Sequence, residues 1–293
     1  MDRMALTILC PTDFTRSADR ALRYAVELAQ GAPEAEIVVL HVDDLPTFGL
    51  PAGSVLDEPL RVAWRARLDD LCERFSDRAH LIAATKRGRP GAEIVAHAER
   101  IGAQLIVMST RGRPALSAAI LGSVTADVLH ESPVPVLTVQ PEARIDRPER
   151  VLVMTDLGAA SEPALAMAIG LAEARGATLH VLHAYRLPAY VLPDGAPIFA
   201  PETEATVRAR ATARLDALLG GRDVSVAIRR HVEAGAAEES AARLVREEGI
   251  DLVVVGTRGR AGLRRWVLGS VAERLVRTCE VPVMVVRGGE EES

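Results

Sequence analysis

The sequence Ile250-Asp251-Leu252-Val253-Val254-Val255 runs directly into Gly256-Thr257-Arg258-Gly259, and Gly269-Ser270 follows after nine further residues. The apolar run predicts a buried strand, and Val271–Val276 predicts a helix. A strand, a glycine-rich loop and a helix start together present backbone N–H groups to a phosphate. This stretch therefore predicts an α/β fold with an anion site at the end of a strand.

A second copy of the arrangement lies earlier in the chain. Ser109-Thr110-Arg111-Gly112 follows the apolar run Leu105–Met108, and Gly122-Ser123 comes after the same nine-residue gap. Ala164-Leu165 lies 143 residues after Ala21-Leu22. A repeat of about half the chain indicates domain duplication. We place the two domains at residues 1–141 and 148–293, joined by a polar linker.

Strands and helices alternate along each half, and the strands are continuous apolar runs. This pattern is typical of a doubly wound parallel sheet with helices on both faces. Two stretches rich in Pro and Gly, 43–58 and 186–201, are predicted to be irregular. In the first half we predict strands at 6–10, 37–42, 81–84, 105–108 and 136–139, and helices beginning near Ser17 or Asp19 and near 59, 92 and 123.

The composition excludes several classes of protein. The net charge is -5 with acids and bases interspersed, so no basic surface for nucleic acid is expected. Lys86 is the single lysine and lies outside both glycine loops, which excludes a Walker-type phosphate loop. The three cysteines are far apart and suit a reducing compartment. No signal peptide or membrane-length apolar run is evident, so we expect a cytoplasmic location.

The glycines suit a phosphate site, because a backbone that wraps a phosphate must approach it closely and reach positive φ. Ser270, at the helix start, can cap the helix and donate its hydroxyl to the same anion. The alternative is that the glycines form ordinary surface turns. Four loop arginines either meet phosphate oxygens or face solvent: Arg111, Arg113, Arg258 and Arg260.

Asp13 and Asp156 each follow the first strand of their half. Ligands of such folds sit beyond the carboxyl ends of the strands, where the strand order reverses. Each acid can therefore accept hydrogen bonds from a ribose or a base, or alternatively cap the next helix. We interpret His41 and His183, at the end of the second strand of each half, as structural or lining residues rather than metal ligands.

Together these features resemble the universal stress protein family: Thr-Asp after the first strand, the spaced Gly and Gly-Ser signature, and a closing Val-Pro-Val strand in both halves. The resemblance implies a five-stranded parallel sheet of order 3-2-1-4-5 in each half. It also implies ATP, accompanied by Mg²⁺, as a ligand, with no metal-binding side chains. The second-half positions that match the family's site are Asp156, Ala184, Gly256, Arg258, Gly259, Gly269, Ser270, Val271 and Ala272. Those of the first half are Pro11, Thr12, Asp13, Val42, Ser109, Gly112, Gly122, Ser123, Val124 and Thr125.

Ser109 departs from this signature, which has glycine at its position. The family also pairs through its fifth strands, so we expect Val136–Val139 to meet Val283–Val286 in an internal pseudo-dimer, with further self-association. The leading hypothesis is an ATP-binding regulatory protein of the stress response, without catalytic residues. The alternatives are a weak ATPase, for which no general base is evident, and an interaction module without ligand.

Overall fold

The computed structural model describes residues 6–32, 34–44, 57–110, 121–186, 190–191, 197–198, 201–257 and 268–288. The strands are β1 (Thr7–Pro11), β2 (Glu36–Asp43), β3 (His80–Arg87), β4 (Leu105–Ser109), β5 (Val136–Val139), β6 (Arg150–Met154), β7 (Thr178–Tyr185), β8 (Tyr190–Val191), β9 (Pro197–Ile198), β10 (Ile228–Ala234), β11 (Leu252–Gly256) and β12 (Val283–Val286). The helices are α1 (Arg16–Ala29), α2 (Asp57–Glu73), α3 (Pro90–Arg100), α4 (Ser123–Glu131), α5 (Glu162–Arg175), α6 (Pro201–Gly220), α7 (Ala237–Glu247) and α8 (Ser270–Thr278).

The chain divides into two compact units. Unit 1 comprises 1–147 together with 263–268 and 276–285. Its parallel strands lie in the order β3-β2-β1-β4-β5, as predicted. Val283–Val285 of β12 pair antiparallel with β5, with Met284 opposite Leu137. The Thr138 hydroxyl donates to the Val283 carbonyl at 3.0 Å, so the predicted meeting of these two segments is observed.

Unit 2 comprises 148–262, 269–275 and 286–293. Its parallel strands follow the order β10-β7-β6-β11. Beyond β11, the Thr257 N–H donates to the carbonyl of Val286, the last residue of β12, at 2.9 Å. The predicted doubly wound α/β architecture is therefore confirmed in both units, with the first and fourth strands of each half side by side.

Burial explains why these segments form strands and helices. Strands β4, β5 and β12 are buried at every residue, as expected for a parallel sheet covered on both faces. Helix α1 buries its predicted apolar face, including Leu22 and Leu28. Thr15, rather than Ser17 or Asp19, caps α1, and its hydroxyl accepts from the Ala18 N–H at 3.3 Å.

Two other predictions needed correction. Strand β3 extends to Arg87, well past the predicted end, because it pairs with β2 along its whole length, from Glu36 opposite His80 to Asp43 opposite Arg87. Pairing is a backbone interaction, so polar residues continue a strand whose side chains are partly exposed. Within the stretch predicted to be irregular, β8 and β9 form a small antiparallel pair.

Within the described ranges, no helix has the length and apolar character that a membrane span requires.

Candidate functional site

A cavity of about 530 Å³ opens in unit 2 at the carboxyl ends of the strands. Small-molecule sites commonly have volumes of roughly 300–1,000 Å³. Strands β6, β7 and β11 supply one side of the cavity, and the starts of α7 and α8 supply the other. Its lining includes Met154, Thr155 and Asp156; Leu182, Ala184 and Arg186; Gly235, Ala237 and Glu238; Val255, Gly256 and Thr257; and Gly269, Ser270, Val271 and Ala272.

Most of the second-half positions predicted from sequence lie around this one cavity. Asp156, Ala184 and Gly256 line its strand side, and Gly269–Ala272 line its helix side. Arg258 and Gly259, with Arg260, lie outside the described residues. The two ends of the glycine signature, Gly256 and Gly269, thus lie around the same cavity as Asp156. This is the arrangement expected where the strand order reverses.

The start of α8 provides the hydrogen-bond donors of the cavity. Ser270 is the first residue of the helix, and the Glu273 N–H donates to the Gly269 carbonyl at 2.9 Å. The N–H groups of Ser270, Val271 and Ala272 precede this first helical bond, so the helix itself gives them no acceptor. Together with the positive end of the helix dipole, they favour an anion at this wall.

Positive φ does not explain the glycines at positions 122 and 256. Gly122 has φ -63°, and Gly256 does not lie in the left-handed region, contrary to the expectation from sequence. A Cβ at Gly256 would meet the Ala160 carbonyl oxygen at 3.4 Å, which is ordinary contact. A side chain at this position is therefore tolerated by the protein itself. Ser109 in unit 1 is accordingly compatible with the fold.

A short turn after β6 presents Asp156 at the mouth of the cavity. The Thr155 N–H donates to the Leu182 carbonyl at 2.9 Å, and its hydroxyl accepts from the Leu157 N–H at 2.9 Å. Oδ1 of Asp156 accepts from the Gly158 N–H at 3.0 Å. Asp156 is exposed and does not cap α5, so it makes a turn rather than the helix cap considered from sequence.

Sequence reasoning missed two charged residues of the cavity lining, Glu238 and Arg186, and the ion-pair partner of Glu238. Glu238, in the first turn of α7, pairs with Arg274 of α8 at 2.9 Å, and this ion pair connects the two helices. Arg186 also lines the cavity. Arg186 directly follows Tyr185, the last residue of β7, so its place next to a strand end is the signal that could have identified it.

In unit 1 the helices α3 and α4 meet differently. A Cβ on Gly91 of α3 would lie 2.6 Å from the Cβ of Asp127 of α4, so the two helices are in close contact there. By the repeat of the sequence, Gly91 and Asp127 correspond to Glu238 and Arg274. The two halves therefore share a backbone plan but differ in the charges beside their helix starts.

The first-half positions lie at the corresponding places in unit 1. Pro11 ends β1, with Thr12 and Asp13 directly after it, and Val42 lies near the end of β2. Ser109 ends β4, and its carbonyl accepts from the buried Thr125 hydroxyl at 2.9 Å. Helix α4 begins at Ser123, after Gly122, and contains Val124 and Thr125. Gly112, with Arg111 and Arg113, lies outside the described residues.

Asp13 also forms a turn rather than a helix cap. Its Oδ1 accepts from the Thr15 N–H at 3.0 Å and from the Thr15 hydroxyl at 2.6 Å. The Phe14 ring lies beside His41, with 4.7 Å between centroids, and beside Trp64 at 5.6 Å. The guanidinium of Arg67 lies 4.4 Å from the centroid of the Phe14 ring. An aromatic cluster thus supports the first-half turn.

The buried His180 contacts the half-buried His231 outside the cavity lining. Nδ1 of His180 lies 3.1 Å from Nε2 of His231, and the rings stack at 5.2 Å. Burial, and secondly the neighbouring His231, lowers the pKa of His180 to about 4. Burial also lowers the pKa of His231. Among the described residues, no three His, Cys, Asp or Glu side chains come together as metal ligands.

The sequence matches the model of the universal stress protein family twice, over residues 4–140 and 148–287. The chain therefore belongs to the universal stress protein family and carries two of its domains in tandem. The match agrees with the strand order of both units and with the duplicated turn and glycine positions.

Proteins of other organisms are similar to this chain over long stretches. A universal stress protein of Mycolicibacterium smegmatis is 31% identical over 290 residues, covering 96% of each chain. One of Mycobacterium tuberculosis is 32% identical over 191 residues, covering 63% of this chain and 62% of its own. The crystal structure of a universal stress protein from Archaeoglobus fulgidus has a TM-score of 0.73 at 24% identity, covering 97% of this chain and 98% of that one. This last likeness concerns the fold.

Proposed function

We propose that this universal stress protein binds ATP in the cavity of unit 2 and acts as a regulatory protein in the stress response. The observation that carries the proposal is the convergence, in one cavity, of the start of α8 with Asp156. The first suits a polyphosphate and the second suits a ribose or a base. The opposite ends of a nucleotide need these two kinds of partner.

Each wall has a defined part in this proposal. The N–H groups of Ser270, Val271 and Ala272 and the Ser270 hydroxyl bind phosphate oxygens. Asp156 has one carboxylate oxygen engaged with the Gly158 N–H, and its other oxygen accepts from a ribose hydroxyl. Ala184 and Gly256 leave room for the nucleoside beside the strand ends. Mg²⁺ accompanies the phosphates without protein ligands.

The cavity also has a mixed charge that suits this ligand. Glu238 would repel phosphates if it stood alone, but Arg274 lies 2.9 Å away and balances its charge. Arg186 adds a cation at the wall. The remaining exposed acid, Asp156, lies on the strand side of the cavity, where a hydroxyl donor rather than a phosphate is expected.

The first half is proposed as a second, separate ATP site, built on Asp13, Ser109, Gly122 and Ser123. Support comes from the repeated Thr-Asp turn and from a helix that begins directly after Gly122, whose carbonyl accepts from the Ala126 N–H at 2.9 Å. The maximum stoichiometry is then two ATP per chain.

Calorimetric titration of the purified full chain with ATP and Mg²⁺ tests the proposal. We expect saturable binding, and the variant Gly269→Val/Ser270→Ala should lose the second-half site alone. The matched variant Gly122→Val/Ser123→Ala should lose only the first-half site. Absence of binding by the wild-type chain would refute the ATP proposal. Unchanged stoichiometry in the first variant would refute the assignment of the cavity.

A regulatory role also makes a kinetic prediction. If the chain acts as a binding protein, release of ADP from excess ATP should not exceed that of the Gly269→Val/Ser270→Ala variant. Multiple turnovers that this variant lacks would instead show that the chain is an ATPase. The measurement is a time course of ADP by chromatography with both proteins at equal concentration.

A further inference from the structure

We infer that His183 is a positioning residue: by donating a hydrogen bond to the Thr155 carbonyl, it holds the turn that presents Asp156 to the cavity. The inference rests on the proposed function only for the identity of the ligand. It gives a role to a histidine that the sequence left as a structural or lining residue.

His183 reaches the turn from behind the cavity wall. Leu182 and Ala184 line the cavity, and alternation along β7 directs the side chain between them to the other face of the sheet. There, Nδ1 of His183 lies 2.9 Å from the carbonyl oxygen of Thr155. A carbonyl oxygen can only accept, so Nδ1 carries the proton. The ring therefore acts on Asp156 through the backbone rather than by touching a ligand.

The turn needs such support because its backbone is unusual. Leu157 has φ 61°, in the left-handed region that a branched side chain rarely adopts. Its N–H is fixed by the Thr155 hydroxyl, which also lies 2.8 Å from the Ser161 hydroxyl oxygen. His183 supplies the hydrogen-bond donor for the Thr155 carbonyl, which is the backbone group directly before Asp156. With the Thr155 N–H bound to Leu182, the main chain of Thr155 is held at both ends.

Unit 1 contains the same hydrogen bond from a histidine to the turn, with different side chains around it. Nδ1 of His41 lies 2.9 Å from the Thr12 carbonyl oxygen, and Phe14 has φ 62°. The Phe14 N–H donates to the Thr12 hydroxyl at 3.0 Å. Here the ring packs against Phe14 and Trp64, whereas in unit 2 the residue after the acid is Leu157. The histidine bond to the carbonyl recurs in both units, together with the threonine hydroxyl bond, although the packing differs. This recurrence supports a role for the histidine in holding the turn.

Two substitutions separate this role from simple packing. His183→Leu fills space but removes the donor. His183→Asn keeps a donor, because the amide nitrogen of Asn lies where Nδ1 of His does. If His183→Leu does not fold, His183→Gln replaces it, since its amide nitrogen lies further out, near the place of Nε2.

The first readout is ATP affinity, measured by calorimetry in the Gly122→Val/Ser123→Ala background so that only the second-half site is observed. We expect His183→Leu to weaken binding about fivefold, the effect of losing one ordinary hydrogen bond. His183→Asn should stay within about twofold of the parent. Equal affinity in the Leu variant and the parent, or equal loss in both variants, would overturn the inference.

The second readout needs no nucleotide. Amide hydrogen exchange of Leu157 and Gly158 in the free protein should be faster in His183→Leu than in the parent and unchanged in His183→Asn. Exchange at Leu157 and Gly158 that is insensitive to the Leu variant would overturn the positioning role. If the parent binds no ATP, the proposed function fails, and the exchange result still decides the role of His183.

Discussion

The buried His180 makes the free energy of unfolding of unit 2 depend on pH in the acid range. His180 is only 1% exposed, and burial holds its pKa at about 4 in the folded protein. In the unfolded chain a histidine has a pKa of about 6.5. The folded pKa is the lower one, so unfolding takes up a proton in this range. The contribution of His180 to stability is therefore present above pH 6.5 and is lost as the pH falls towards 4.

The size of the loss follows from these two pKa values. Between pH 7.5 and pH 4.5, linkage of one such histidine lowers the free energy of unfolding by about 2.5 kcal/mol. His180→Leu removes this dependence, because leucine cannot take up the proton. The variant is expected to be less stable than the wild type at pH 7.5, since it loses the contact with His231. Its deficit should shrink by about 2.5 kcal/mol at pH 4.5.

Urea denaturation followed by circular dichroism, at several pH values between 7.5 and 4.5, measures this difference. If two transitions are resolved, only that of unit 2 should respond to the substitution. His130→Gln is the control, because His130 is exposed on α4. Stability curves of wild type and His180→Leu that run parallel across the pH range would show that the fold does not hold His180 neutral.

Four further predictions concern packing, charge and burial. Gly91→Ala should lower the free energy of unfolding by about 1–3 kcal/mol, because its Cβ would lie 2.6 Å from a neighbouring side chain. Gly170→Ala, with open space around it in α5, should raise it by about 0.5–1 kcal/mol in the same urea titrations, and the reverse ranking would contradict the packing. Arg274→Ala should weaken ATP binding, measured by calorimetry, about two- to fivefold, because it removes the counter-charge of Glu238. An equal loss of affinity in Glu238→Gln would contradict this electrostatic reason. The Cys10 thiol, fully buried and with its pKa raised by that burial, should react with a thiol reagent at pH 8 only after unfolding, so rapid labelling of the native chain at Cys10 would contradict its burial.

Much of the fold could be predicted from the sequence because its signals are local. Continuous apolar runs such as Leu105–Met108 predicted buried strands, and the repeat showed that two similar domains exist. The cap of α1 could not be chosen, since Thr15, Ser17 and Asp19 are all capping residues within one turn. The full length of β3 was missed because its end is polar and depends on pairing with β2.

The candidate site could likewise be predicted from the sequence only in part. Positions next to strand ends and helix starts, such as Asp156 and Ser270, could be placed because the topology brings those ends together. The ion pair of Glu238 with Arg274 could not be predicted, and neither could the contact of His180 with His231 outside the cavity. Each of them joins residues far apart in sequence through side-chain geometry. Their roles depend on distances that a linear pattern does not contain.

The pairing of β12 with β5 has a consequence for synthesis on the ribosome. Val283, whose carbonyl accepts from Thr138, is made 145 residues after it. At about 5–20 residues per second, the growing chain carries β5 for roughly 7–30 s before its antiparallel neighbour is made. During that interval the edge of β5 is open to other strands, including those of a second nascent chain. Completion of the first compact unit therefore waits for a segment that is translated 145 residues later.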